Sequence, residues 1–304
     1  MVKFVMMCGI PGAGKSSFAE HLSYDKEYVV HSSDKIREEL GDINDQSRNE
    51  EVFKILHNRI KSDLKDGKNV VYDACQVKRK DRVAFLNEIK NIKCQKICVV
   101  IATPFEYCLA QNFARERHIP EDVLIRFYKN FQMPCTYEGF DEVIVHYNDE
   151  AWSTWYGSIG QYVKSLCGFN QNNHHHELSL GDHMISAGKY VCGKGYSALE
   201  DITLAAFSHD IGKVKTKAYK NGKGEATEEA HYFSHHNVGA YDSLFYNYGT
   251  GADKKYIALL IELHMRPYLE WKQSERVKKK DFNMFGEDVI NDVMLLHEAD
   301  VNAH

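Results

Sequence analysis

Nine residues near the start constrain this chain more than any other stretch: Gly9-Ile10-Pro11-Gly12-Ala13-Gly14-Lys15-Ser16-Ser17. They satisfy the phosphate-binding pattern G-x-x-x-x-G-K-[ST] without a mismatch. The pattern functions between a strand and a helix, and both flanks read that way. Lys3 to Cys8 is short and apolar, like a buried strand, and Ser17 to Leu22 opens a helix. In such a loop Gly9, Gly12 and Gly14 let backbone N–H groups turn inward around a phosphate, and the helix N-terminus adds positive potential. Lys15 reaches the outer phosphates, the Ser16 hydroxyl is a ligand for Mg²⁺, and Ser17 follows it into the helix. ATP and Mg²⁺ are the expected cofactors of this half.

The chain then alternates strands and helices. Glu27 to His31 reads as a strand ending at Ser32-Ser33-Asp34, which caps a helix from Lys35 to Leu40. Asp34 and Arg37 therefore fall at the carboxyl end of a strand, where open parallel sheets hold ligands. Asp34 reads either as an N-cap or as a general base, with Arg37 steadying it or the phosphoryl group. Glu50 to Leu64 is a helix, and Asn69 to Asp73 a strand. Asp73 either orders Mg²⁺ through water or is a sheet-end carboxylate. Lys78, Arg79, Lys80 and Arg82 form a cationic run that suits a polynucleotide backbone or a solvated helix face. Ile97 to Ile101 is a strand and Phe105 to Ala114 a helix. Arg115-Glu116-Arg117-His118-Ile119-Pro120 reads as a basic lid over phosphates or an exposed turn. A helix from Pro120 to Phe131 and a strand from Asp141 to His146 complete an α/β domain with a mostly parallel sheet.

The length of 304 residues suits two domains, and a net charge of −5 leaves no global basic footprint for nucleic acid. The eight scattered cysteines read as free thiols of a reducing compartment. No leader is expected ahead of the first strand, and no apolar run is long enough to span a bilayer. A cytoplasmic protein with no membrane partner is expected.

The sequence from Gly9 to Ser17, then Ser32-Ser33-Asp34-x-x-Arg37, Tyr72-Asp73-Ala74, Arg115-x-Arg117-x-Ile119-Pro120 and Tyr128-Lys129-Asn130-Phe131, resembles the bacteriophage and bacterial 5′-hydroxyl polynucleotide kinases. The resemblance implies that Lys15 and Ser16 bind ATP and Mg²⁺, that Asp34 is the base on the 5′-hydroxyl, and that Arg37 contacts the acceptor phosphate. The family's lid helix usually carries Arg-Asn where this chain has Gln111-Asn112. Arg115 and Arg117 are the candidates to replace that arginine.

Beyond residue 170 the character changes. Eleven of the sixteen histidines lie there, strands give way to amphipathic helices, and the apolar run Leu204 to Phe207 delivers Ser208-His209-Asp210-Ile211-Gly212-Lys213. A buried Asp beside His needs a partner for its charge, and a metal site between helices supplies one. His183, Asp300, His236 and His264 are spaced to join it from separate helices. His174-His175-His176 reads as a loop entering a helix, and nothing in the sequence separates His231 and His235 from surface residues. This half resembles the HD phosphohydrolase superfamily through His183, His209-Asp210 and Asp300. The stretch from Phe233 to Ala240, with His236 and Gly239-Ala240, is similar to the variant in tRNA-maturing HD enzymes. The resemblance implies an all-α domain, one or two divalent transition metals such as Mn, Fe, Co, Ni or Zn, and hydrolysis of a phosphate ester. His236 and His264 would hold a second metal or contact the phosphate; Lys213 would bind phosphate or face solvent.

The expected organisation is a P-loop polynucleotide-kinase-like domain over 1–149, a connecting helix over 150–172 with Trp152 and Trp155, and an HD domain over 173–304. The expected function is healing of broken RNA, tRNA included, or DNA in a bacterial or phage-infected cell. It combines a 5′-hydroxyl kinase with a 3′-phosphatase or 2′,3′-cyclic phosphodiesterase ahead of an RNA ligase. The alternative is a nucleotide or nucleoside kinase joined to an HD nucleotidase.

Overall fold

The computed structural model describes residues 1–24, 27–43, 45, 47–114, 118–148, 156–173 and 177–303. The chain divides into two compact units. The first is Met1–Phe127 with Pro134–Ser153, and the second is Tyr128–Met133 with Thr154–His304.

The first unit is built on a five-stranded sheet. Its strands are β1 (Lys3–Cys8), β2 (Tyr28–Ser32), β3 (Asn69–Asp73), β4 (Gln95–Ala102) and β5 (Glu142–Tyr147), in spatial order β2-β3-β1-β4-β5. Every neighbouring pair is parallel, with Val5 opposite Val71 on one side of β1 and Ile97 on the other. Central β1 is buried from Phe4 to Cys8, so it reads as a continuous apolar run rather than an alternation. Helices α1 (Lys15–Ser23), α2 (Ser33–Glu39), α3 (Asn49–Lys65), α4 (Arg79–Glu88), α5 (Phe105–Ala114) and α6 (Glu121–Lys129) fill the connections. The apolar face of α3 repeats at every fourth residue, Val52, Leu56, Ile60 and Leu64, and packs on β2 and β3. Each of these side chains stabilises the fold by about 1.5–3 kcal/mol relative to exposure.

Two expectations for this unit change. The cap of α2 is Ser32, so Asp34 lies inside the first turn and its carboxylate is not the capping group. The basic run at α4 divides: Lys80 is exposed and Lys78 half-buried, but Arg79 and Arg82 are turned inward and are neither a solvated face nor a polynucleotide track. Arg82 is fully buried, and its Nη2 and Nε donate to the two oxygens of Glu138 at 2.6 Å each, while Arg79 Nε donates to Glu138 at 3.2 Å. Charges removed from water need partners of this quality, and Glu138 supplies the bidentate one.

The second unit is helical: α7 (Ile159–Ser165), α8 (Leu180–Gly193), α9 (Asp201–Ala206), α10 (Lys213–Thr216), α11 (His235–Ser243), α12 (Lys254–Leu263) and α13 (Glu275–Asn302). Among the described residues it departs from an all-helical expectation by a two-stranded hairpin. Strands β6 (Ala218–Lys220) and β7 (Ala226–His231) pair antiparallel across Asn221-Gly222-Lys223-Gly224. Gly224 at φ +85 lets the turn close, with Asn221 N donating to Glu225 O at 2.9 Å. Trp152, Trp155 and His174 to His176 lie outside the described residues. Among the described residues the eight cysteines are free, and no helix is long and apolar enough to cross a membrane.

Candidate active sites

The phosphate loop leaves the end of β1. Gly12 has φ +85, and a Cβ there would meet the Cys108 carbonyl oxygen at 2.5 Å, so only glycine fits. Gly14 caps α1 in the left-handed region. Buried Lys15 donates from Nζ to the Ile10 carbonyl at 2.9 Å, and Ser17 is exposed on the first turn of α1. Ser16 Oγ donates to Asp73 Oδ2 at 2.9 Å, at the end of the strand beside β1. A hydroxyl and a carboxylate are hard oxygen donors, and they fit Mg²⁺.

At the neighbouring strand end, Arg37 Nη1 donates to Asp34 Oδ1 at 2.9 Å and Nη2 to Asn49 Oδ1 at 2.7 Å. The Arg37 side chain is 9% exposed and that of Asp34 is 52% exposed. The carboxylate is thus open to an incoming molecule while a buried guanidinium fixes its direction. Asn49, which nothing in its local sequence marks, belongs to this arrangement.

The second unit gathers His183 from α8, His209 and Asp210 from the turn after α9, and Asp300 from α13, with ligand atoms within 4.8 Å of one another. Asp210 also meets His235 and His264. Each imidazole commits its Nδ1 to a main-chain carbonyl: His183 to Ala303 at 2.9 Å, His209 to Ala206 at 2.8 Å, His235 to Tyr232 at 2.8 Å and His264 to Ile261 at 2.6 Å. A carbonyl only accepts, so Nδ1 carries the proton and Nε2 presents a lone pair. Those nitrogens converge, His183 on His209 at 3.2 Å and His235 on His264 at 3.2 Å. Facing lone pairs repel unless a cation or a proton lies between them.

Asp210 joins the two pairs. Its Oδ2 lies 3.3 Å from His209 and 3.5 Å from His183, and its Oδ1 lies 3.2 Å from His235 and 3.8 Å from His264. Asp300 Oδ1 lies 3.0 Å from His183, and Tyr268 donates its hydroxyl to Oδ2 at 3.0 Å. Imidazole nitrogens with two carboxylates suit divalent transition metals, so the donor set fits the expected ions. Protonation tells the same story. Burial pulls the His209 imidazole down, but Asp210 and Asp300 overcome it and raise its pKa to about 10. Burial pushes the Asp210 carboxyl up, yet Lys213 and His209 hold it well below the usual range. The pocket demands positive charge.

The structure seats His235, not His236, in this cluster. Successive helical residues point about 100° apart, so only one of the two can aim inward. The left-handed φ of +65 at Ser234 sets α11 so that His235 is the one. His236 stands beside the cluster, its pKa lowered to about 3 by burial and the neighbouring His235 and Arg266. Close approach of α11 depends on glycine, because a Cβ on Gly212 would lie 2.1 Å from the His235 carbonyl oxygen. Lys213 is not a solvent lysine: it is buried, with Nζ 2.7 Å from Asp210 Oδ2 and donating to Gln171 at 2.9 Å.

A family model described as an AAA domain matches residues 4–134. The L-seryl-tRNA(Sec) kinase of Methanococcus maripaludis is 23% identical over 142 residues, which are 45% of this chain and 55% of that protein. The first unit is an α/β domain that carries a complete P-loop, and this relative is a kinase by name. Two solved structures also resemble the chain. A chain of the Pnkp1/Rnl/Hen1 RNA repair complex is 19% identical, with a TM-score of 0.36 over 41% of this chain and 42% of that one. A sugar kinase from Janibacter sp. is 17% identical, with a TM-score of 0.35 over 48% and 86%. The chain spans about half the length of the curated relative it matches.

Within the first unit, Gly9, Gly12, Gly14, Lys15, Ser16 and Ser17 sit on one loop and helix start, with Asp34 and Arg37 at the end of β2. Arg115 and Arg117 lie outside the described residues. The preceding Asn112 is buried; its Nδ2 donates to Ile119 O at 2.8 Å and its Oδ1 accepts from Ile119 N at 3.0 Å.

Proposed function

We propose that the chain is a bifunctional end-healing enzyme: an ATP-dependent 5′-hydroxyl polynucleotide kinase joined to a metal-dependent 3′-phosphohydrolase of the HD type. The observation that carries the reading is the buried convergence of four imidazole nitrogens on Asp210 and Asp300, in a chain whose other unit carries a complete phosphate-binding loop.

In the kinase domain the loop amides and Lys15 would hold the phosphates of ATP, and Ser16 and Asp73 would hold Mg²⁺, which supplies charge neutralisation when bound. Asp34, exposed and oriented by Arg37, takes the proton from the attacking hydroxyl. The curated relative is by name a kinase of L-seryl-tRNA(Sec), and a substrate that contains RNA agrees with this reading. In the second unit His183, His209, Asp210 and Asp300 hold one metal, and Asp210, His235 and His264 a second. The ions supply Lewis-acid charge to the phosphate ester. Lys213 keeps Asp210 ionised, and Tyr268 orients Asp300. Product ends with 5′-phosphate and 3′-hydroxyl are what an RNA ligase consumes.

The test is direct. Incubation with ATP, a divalent metal and an RNA carrying 5′-hydroxyl and 3′-phosphate ends should convert both termini. Conversion of the 5′ end alone, at every metal tried, would overturn the hydrolase half.

A second reading, a nucleotide kinase with a nucleotidase, gains from one observation. Arg79 and Arg82 are buried against Glu138 and unavailable to a polynucleotide. Kinase activity on an oligonucleotide that falls steeply with salt, beside weak activity on a nucleoside, would dismiss it.

A further inference from the structure

We infer that a small cavity beside the His235–His264 pair is a subsite for the ribose 2′-hydroxyl of the end being dephosphorylated. The inference rests on the phosphohydrolase reading and adds which sugar the site takes. His236, Asn237, Gln132, Glu262, Arg266 and Glu270 line the cavity. Most of these are already engaged. Glu262 accepts from Gln132 Nε2 at 3.4 Å and from the Met133 backbone N–H at 3.0 Å. Arg266 is paired with Glu270, and with Asp281 at 3.6 Å.

Two atoms are different. His236 Nδ1 and Asn237 Oδ1 are buried with no hydrogen-bond partner among the described residues. The Asn237 amide is oriented by its Nδ2, which donates to Lys129 O at 2.8 Å, so its buried oxygen is free to accept and cannot donate. Buried polar atoms of this kind are kept where a ligand or a water completes them. A hydroxyl both gives a proton and offers lone pairs, and so complements an amide oxygen together with an imidazole nitrogen.

Position argues for substrate. The His236 ring lies 5.7 Å from that of His235 and 6.3 Å from that of His264, centre to centre. A residue that lines the cavity thus stands in ring contact with both imidazoles of the His235–His264 pair. The 2′-oxygen of a 3′-phosphorylated nucleotide is only a few bonds from the phosphorus, and no other sugar hydroxyl stands closer to it.

The experiment uses full-length protein loaded with Mn²⁺ and oligonucleotides that differ only in the 3′-terminal sugar. That sugar is ribose, 2′-deoxyribose or 2′-fluororibose, each with a 3′-phosphate. The ribose end should be dephosphorylated with about tenfold higher kcat/KM, the size expected for two modest hydrogen bonds. The fluoro end should behave as the deoxy end, since fluorine keeps the ribose pucker but cannot donate. In chelator-treated protein, where nothing turns over, the ribose end should bind tighter by about the same factor in an anisotropy titration. Asn237→Ala should shrink both ratios toward one. Equal reaction and binding of the three ends, or ratios that Asn237→Ala leaves intact, would overturn the subsite alone. If no end loses phosphate, the phosphohydrolase reading falls and the subsite with it.

Discussion

The phosphate loop and the His/Asp cluster are built in opposite ways. The loop is nine consecutive residues whose ligand-facing groups are largely main chain, shaped by Gly12 and Gly14. The cluster is all side chain, drawn from α8, the turn after α9, α11, α12 and α13, with His183 and Asp300 separated by 117 positions. A loop of the first kind is completed by local geometry and needs only a strand and a helix to hold it. A cluster of the second kind exists only after several helices have packed, and its imidazoles are aimed by bonds to main-chain carbonyls. The first should tolerate distant changes and the second should not.

That contrast is broken or upheld most sharply by Asp210, the residue shared by both halves of the cluster. Asp210→Ala should remove bound metal, measured by elemental analysis, and lower 3′-phosphate release by on the order of a thousandfold or more. Labelling of 5′-hydroxyl ends should persist. The reciprocal Lys15→Ala should lower labelling by roughly a hundredfold to a thousandfold while leaving metal content unchanged. Loss of both activities in either variant would mean that the two sites are not separable.

Stability gives a second comparison. Arg82 and Glu138 form a buried bidentate pair, so Arg82→Ala strands a carboxylate and should cost about 3–5 kcal/mol in urea unfolding. Lys80, exposed on the same helix, should change stability by no more than about 0.5 kcal/mol when replaced by Ala. Equal effects would contradict the burial of Arg82.

These residues also show where sequence reasoning stops. The loop, the five strands and the set His183, His209, Asp210 and Asp300 were legible, because glycine spacing, apolar runs and an unpartnered His-Asp after an apolar helix are local signals. Arg82 read as surface because its partner lies 56 positions away. The hairpin of β6 and β7 was missed among helical patterns, although Asn221-Gly222-Lys223-Gly224 is a turn signal. His235 and His236 are adjacent and alike in composition, and only the backbone turn at Ser234 decides between them. His235→Gln should lower metal content and reduce hydrolysis about 10- to 100-fold, whereas His236→Gln should leave metal content intact. The reverse order would restore His236 as the ligand.

The smallest expected effect concerns Asn49. Its Oδ1 accepts from Arg37 Nη2, while Nη1 of the same guanidinium holds Asp34. Arg37 Nε is buried and has no hydrogen-bond partner among the described residues, so the guanidinium is oriented by these two contacts. Asn49→Ala frees one arm of the fork and lets Asp34 turn away from the acceptor hydroxyl. Kinase kcat should fall about threefold to tenfold, the scale of one hydrogen bond to a charged group. The KM for ATP should not change, because the phosphate loop is a separate piece of backbone. Asn49→Asp, which keeps an acceptor at the same place, should recover most of the rate. A merely structural role would instead lower the melting temperature in both variants and leave kcat where it was. That result would detach Asn49 from the base and return Asp34 to a carboxylate steadied by Arg37 alone.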